Sequence, residues 1–227
     1  MATHTSASSA EPFVPPSPTL PALRAAAAQC TGCDLYKNAT QTVFGEGSSI
    51  ARVLLLGEQP GDQEDQQGRP FVGPAGKLLE RALAELGVDR RDVYVTNAVK
   101  HFKWRPVGKR RLHQKPTLRE IRACYPWLAA ELQVIRPQLV ICLGASAARA
   151  VLGQEVRVNE VRGEVLRFQD RPPVFVTVHP SSLLRIPDET QRREAYRAFV
   201  EDLSRAFLEV GESTQQAREK PARTPVD

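Results

Sequence analysis

The chain lacks the marks of several large protein classes. No apolar run approaches the roughly 18–20 residues needed to span a bilayer, which excludes a membrane-spanning helix. The N-terminus, MATHTSASSA, has neither a basic segment nor an apolar core, which argues against a secretory signal and for a cytoplasmic protein with no membrane partner. Only four cysteines occur in 227 residues, so a disulfide-stapled mini-protein is excluded. In the cytosol those cysteines are expected to be reduced, metal-bound or catalytic. Neither a Walker phosphate loop nor a GxGxxG fingerprint is present, and no segment repeats.

What is present is an ordinary globular composition, 41% apolar and 25% charged, in a chain long enough for one domain with a sizeable core. Residues 1–19 are rich in Ala, Ser, Thr and Pro, with Pro12, Pro15, Pro16 and Pro18, and are expected to form a flexible tail. The domain is expected over residues 20–210 and a second tail over 211–227. The net charge of +5 is modest, but its distribution is uneven. Between Lys100 and Arg122 lie nine Lys or Arg, two His and a single acid, Glu120. Such a segment is either a solvated charged face or a phosphate-contacting surface.

Apolar runs at Arg52–Gly57, Asp92–Val99, Gln138–Gly144 and Pro173–Val178 read as strands of a buried parallel sheet. Between them, Gly76–Leu86 and the stretch from Thr117 to Ile135 carry helical spacing, the second opened by Thr117 and Glu120 as a capping box. A short helix is expected at Ala145–Leu152, a β-excursion at Val156–Phe168, and a closing helix from near Thr190 to Val210. This alternation predicts an α/β fold, three-layer α/β/α around an open, mostly parallel four-stranded sheet. Sites in such folds lie outside the carboxyl ends of the strands. Glu58, Gln59, Asn97, Gly144 and His179 stand at those ends.

Cys30 and Cys33 form a CxxC, Cys124 falls on the long helix and Cys142 in a strand. Four thiolates brought together would hold zinc or a [4Fe–4S] cluster, and spacing alone leaves both open beside a purely buried role for Cys142. The run Gly57–Gly76 is a long, Gly/Pro-punctuated loop of the kind that tends to be functional. Its acids Glu58, Asp62, Glu64 and Asp65 suit divalent-metal binding, acid–base work or plain solvation. Phe71 suits stacking on a nucleobase or local packing.

GEQPG at 57–61, GRPFVGPAG at 68–76, TNAVK at 96–100 and HPSSLLR at 179–185, in that order, resemble the uracil-DNA glycosylase superfamily over roughly residues 25–205. The four-cysteine pattern is similar to that of its family 4 members, which carry a [4Fe–4S] cluster. Two features depart from family 4 and resemble the X-type class instead: Gln59 at a position that is small in family 4, and the KRRLH segment at 109–113. The X-type class binds uracil in DNA and becomes covalently joined to the sugar through the loop histidine.

The resemblance implies a [4Fe–4S] cluster held by Cys30, Cys33, Cys124 and Cys142. It implies that Phe71 stacks on the flipped base, that Asn97 reads O4 and N3–H, and that His179 bonds O2 and stabilises the departing anion. Asp62 and Arg185 join the substrate site. Lys109, Arg110 and Arg111 contact phosphates, with Ser181 and Ser182 as weaker contacts. His113 attacks C1′, oriented by Glu58, while Gln59 positions the sugar or Glu58. The implied partner is uracil-containing DNA, single strands included, and a monomer is expected. The competing readings are a multiple-turnover hydrolytic glycosylase of the family 4 kind, a non-catalytic nucleic-acid-binding protein, and a metal-dependent phosphoesterase using the acidic loop.

Overall fold

The four apolar runs form adjacent parallel strands at the centre of one sheet. The structure, a computed structural model, describes residues 8–219. In chain order its elements are α1 (Leu20–Ala27), β1 (Glu46–Gly47), β2 (Val53–Gly57), α2 (Asp62–Gln67), α3 (Pro74–Glu85), β3 (Val93–Asn97), β4 (Trp104–Val107), β5 (Arg110–His113), α4 (Leu118–Ile135), β6 (Leu139–Leu143), α5 (Ala145–Leu152), α6 (Val158–Val161), β7 (Val165–Leu166), β8 (Val174–Thr177), α7 (Pro180–Leu183) and α8 (Glu189–Glu219).

The strand order is β1-β3-β2-β6-β8-β7. The inner four strands are parallel, and β1 and β7 flank them antiparallel, so the expected four-stranded sheet gains two edges. Each edge strand has two residues, too few to show any periodicity. The central strands alternate between two cores, because successive side chains leave a strand on opposite faces. Leu54, Leu56, Tyr94, Val140 and Val176 pack with residues of α1, α4 and α5. Val53, Leu55, Val95, Ile141 and Phe175 pack with residues of α3 and α8. The three layers follow from that division.

The chain leaves β2 for β3 on one side and later returns to β6 on the other. The strand order therefore reverses between β2 and β6, which opens a crevice at their carboxyl ends.

Several expectations are corrected. The proline-rich segment is not a tail throughout. Ala10 is buried, its N–H donates to Ala123 O at 2.7 Å, and Phe13 and Val14 pack against the core. Proline restricts the backbone without preventing burial, and Thr19 then N-caps α1. Residues 1–7 lie outside the described residues. The closing helix runs past Val210, a core residue, to Glu219, and residues 220–227 lie outside the description. Val156–Phe168 holds one helical turn, α6, and the short β7 rather than a longer β-excursion. The acidic loop contains α2, closed by Gly68 in the left-handed conformation (φ 70°). The basic segment is a hairpin, β4 and β5, turning at Gly108 (φ 56°). Among the described residues no helix is long and apolar enough to cross a membrane.

Candidate active site

A cavity of about 250 Å³ occupies the crevice. Its lining draws on the end of each central strand: Glu58 and Gln59 after β2, Asn97 closing β3, Gly144 and Ser146 after β6, and His179 after β8. Phe71, Ser181 and Arg185 also line it, and His113 reaches it from β5. Sheet topology thus assembles residues up to 127 positions apart in sequence, from Glu58 to Arg185.

Phe71 forms part of the wall. Its backbone is left-handed (φ 56°), which is rare for a residue with a side chain and costs on the order of 1–3 kcal/mol. Two glycines make the placement possible. A Cβ on Gly76 would stand 1.8 Å from Phe71 O, and one on Gly57 would stand 2.7 Å from Phe71 Cζ and 2.3 Å from Asn97 Oδ1. The ring lies near-parallel to His179, with centroids 6.4 Å apart and planes at 27°. Asn97 is buried, and its side-chain amide makes no hydrogen bond with another described residue. A buried amide with both its donor and its acceptor uncommitted is suited to a ligand that offers the complementary pair.

His179 caps α7. Its Nδ1 accepts from the Ser181 N–H at 3.1 Å and lies 2.8 Å from Ser181 Oγ. A ring nitrogen that accepts carries no proton, so the neutral ring keeps its proton on Nε2 and is a donor there. Burial, with the charges of His113 and Arg185 adding to it, pushes its pKa down to about 4. His179 is therefore neutral at physiological pH.

His113 is the last residue of β5. Period two places Arg111 and His113 on one face of the hairpin. Arg111 anchors that face to α2: Nε donates to Asp62 Oδ1 at 2.5 Å and Nη1 to Asp65 Oδ2 at 2.6 Å. Gln59 holds the base of the hairpin. Its Nε2 donates to Lys103 O and Gln114 O, both at 3.1 Å, and its Oε1 accepts from Lys103 N–H. The two anchors deliver His113 to Glu58, with Nε2 3.4 Å from Oε1. The other Glu58 oxygen accepts from Ser146 Oγ at 2.5 Å. Burial holds the His113 pKa below its ordinary value; Glu58 opposes that shift and Arg185 adds to it.

Several expected roles change. Arg111 spends its guanidinium on Asp62 and Asp65, so of the three basic residues in KRRLH only Lys109 and Arg110 stand exposed and open to phosphates. Asp62 lies outside the cavity lining and serves that anchor. Ser182 Oγ donates to His179 O and also lies outside the lining. Gln59 clamps the hairpin through main-chain groups rather than holding Glu58. Glu64 accepts from the Gly61 and Gly73 N–H groups, so three of the four loop acids are committed to local structure. Ser146 was missed, although its place just after β6 marks it by the strand-end rule.

The cysteines divide. Cys30, Cys33 and Cys124 lie close enough for charge on one to raise the thiol pKa of another, and burial pushes Cys124 up to about 12. Trp127 Nε1–H donates to Cys30 Sγ and Lys100 N–H to Cys124 Sγ, both at 3.3 Å. Cys142 lies in β6, packed in the same core as the other three, and burial alone pushes its thiol up. Among the described residues no three His, Cys, Asp or Glu side chains stand ready around one metal position.

The sequence model of the uracil DNA glycosylase superfamily matches residues 44–204, a span that contains every cavity residue named above. The chain belongs to the uracil DNA glycosylase superfamily. It is 40% identical over 179 residues to a type-4 uracil-DNA glycosylase of Thermotoga maritima, covering 78% of this chain and 88% of that one. A type-4 uracil-DNA glycosylase of Archaeoglobus fulgidus is 38% identical over 176 residues, covering 74% and 83%. A type-5 uracil-DNA glycosylase of Pyrobaculum aerophilum is 32% identical over 183 residues, covering 73% and 75%. The superfamily chain is thus nearer to the type-4 relatives than to this type-5 one, in keeping with the expected resemblance.

Proposed function

We propose that this superfamily member is a DNA-repair enzyme that excises uracil from DNA and is then captured by its own product through His113. The observation that carries the capture is the His113–Glu58–Ser146 chain at the mouth of the cavity. In this reading uracil enters between Phe71 and the strand ends. Asn97 donates to O4 and accepts from N3–H. Cytosine presents the opposite pattern and would leave buried polar groups unpaired, at a cost of about 1–3 kcal/mol. As N1–C1′ breaks, the electron pair leaves with uracil and the Nε2–H of His179 donates to O2, where negative charge develops. The neutral His113 nitrogen turned away from Glu58 adds its lone pair to C1′. The ring keeps its other N–H and becomes a cation beside the Glu58 carboxylate. An alkylated imidazolium is a poor leaving group, so the adduct persists.

The test is a denaturing gel of protein mixed with a labelled, uracil-containing single-stranded oligonucleotide, beside a thymine control. A uracil-dependent band shifted by the protein's mass is expected. Free uracil accumulating beyond one equivalent, with no shifted band, establishes the hydrolytic, multiple-turnover reading instead.

Ser146→Ala frees one oxygen of Glu58 and loosens its grip on His113. Adduct formation is expected to slow about tenfold, as for loss of one hydrogen bond to a charged group, while binding of uracil-free DNA is unchanged. Single-turnover kinetics read the first and a filter-binding titration the second.

A [4Fe–4S] cluster fits the chain in part. Cys30, Cys33 and Cys124 share one region, and two N–H groups donate to their sulfurs, as groups that steady metal-bound thiolates do. We assign the fourth ligand to His101 rather than Cys142: it follows Lys100, whose N–H meets Cys124 Sγ, and Thr42 joins its ring to Ala27 O, which also accepts from the Cys30 N–H. Thr42 Oγ1 donates to Ala27 O at 2.8 Å, so it accepts from His101 Nε2–H at 2.9 Å and leaves the lone pair of Nδ1 available. A cluster held there would tie the N-terminal segment to α4 and supply no reacting atom. Cys142→Ser is expected to retain the cluster's broad absorbance near roughly 400 nm and Cys124→Ser to lose it. The opposite result restores Cys142 as a ligand.

A further inference from the structure

Lys100 and Glu131 form an ion pair with no solvent exposure, and the reaction described above uses neither. The ammonium makes three hydrogen bonds, to Glu131 Oε2 at 2.6 Å, Thr96 Oγ1 at 2.6 Å and Asn97 O at 2.8 Å. Those are all the donors a lysine has. Glu131 also accepts from Tyr94 OH and Thr96 Oγ1, each at 2.9 Å. Buried ion pairs are weak sources of stability, because apolar residues of similar volume often serve as well or better. A structural account therefore does not explain why a lysine stands here.

Its third hydrogen bond does. On β3, Tyr94 and Thr96 turn to Glu131 on α4, while Val93 and Val95 pack on the opposite face. Asn97 shares the phase of Val93 and Val95, lines the cavity, and ends the strand opposite Gly57. Lys100 thus grips, from behind the sheet, the carbonyl of the residue whose amide faces the ligand. We infer that Lys100, held by Glu131, is a positioning residue for base recognition: it fixes the Asn97 main chain so that the amide meets the base in register. The inference rests on the base-reading role proposed for Asn97.

The test compares Lys100→Met/Glu131→Gln with Asn97→Ala. The double change removes both charges together and avoids the uncompensated buried charge that a single change leaves. Affinity is measured for free uracil and, separately, for a uracil-free oligonucleotide, on protein whose melting temperature is recorded. The double variant is expected to bind uracil about tenfold more weakly, the loss for one misaligned hydrogen-bonded pair, with oligonucleotide affinity unchanged. Uracil affinity within about twofold of the parent, or a parallel fall in oligonucleotide affinity, overturns the inference. Asn97→Ala separates the two ideas. If it leaves uracil binding intact, the base-reading role fails and the inference falls with it. If it weakens uracil binding and the double variant does not, only the inference fails. Should the double variant not fold, isosteric Thr96→Val strips one of the ammonium's partners; a threefold or greater loss of uracil affinity supports the inference and none overturns it.

Discussion

Replacing His113 by serine is expected to abolish the covalent product and leave uracil release intact or raise it. The serine hydroxyl is too short to span the space the imidazole fills beside Glu58, and water then occupies the position of attack. Glu58 remains held by Ser146 and is placed to accept the proton of that water. The change therefore converts a one-equivalent reaction into turnover. Gel shift and free uracil, measured on the same samples, read both halves. A shifted band that persists in the serine variant refutes His113 as the nucleophile. The pH profile gives an independent check. Burial depresses the His113 pKa in the folded protein, and only the neutral ring has a lone pair for C1′. Adduct formation is then full above the folded pKa and lost as pH falls through it. Because that pKa lies below the ordinary histidine value, the plateau is expected to extend below about pH 6.5. A fall centred at or above that value means that the ring titrates as a solvated histidine and that its contacts beside Glu58 and Arg185 do not describe the reacting state.

His179→Ala carries the largest expected loss. In the proposed reaction it removes a donor to the departing base, and removal of a single preorganised donor to a developing anion typically costs about 10²–10³ in rate. The loss belongs to bond cleavage and not to attack, so uracil release and adduct formation are expected to fall together. That distinguishes it from the serine change at His113, which separates them. The neutral state of His179 matters here. With its pKa pushed down to about 4, the ring donates from Nε2 without a competing proton on Nδ1, which Ser181 occupies as a donor. A fall of less than tenfold in the single-turnover cleavage rate refutes this role.

Ser181 thus holds the His179 ring, and commitments of this kind, fixed by local contacts, recur across the site. Residue types and strand-end positions were legible in the chain: Glu58, Asn97 and His179 are where the parallel-sheet rule puts them. Phe71 was legible as an aromatic in a glycine-rich loop, but its left-handed backbone was not, because the strain follows from the close approach of Gly57 and Gly76. The competing phosphoesterase reading lost its basis for a similar reason. Asp62, Glu64 and Asp65 looked free in sequence, yet each is bound by an arginine or a backbone N–H.

The amino-acid order alone determined the features that depend on near neighbours. Apolar runs set the four central strands, and Thr117 and Glu120 set the start of α4. These signals act over a few residues, through backbone geometry and side-chain alternation, and so can be read in one dimension. Only the tertiary structure decided the pairings. Arg111 meets Asp65 across 46 positions and Ser146 meets Glu58 across 88. Cys142 carries the same thiol as Cys124, yet burial alone acts on it, while charge on Cys30 and Cys33 also acts on Cys124. A side chain's chemistry is set by what packs beside it, and neighbours brought together by sheet order and hairpin docking leave no local trace in the chain.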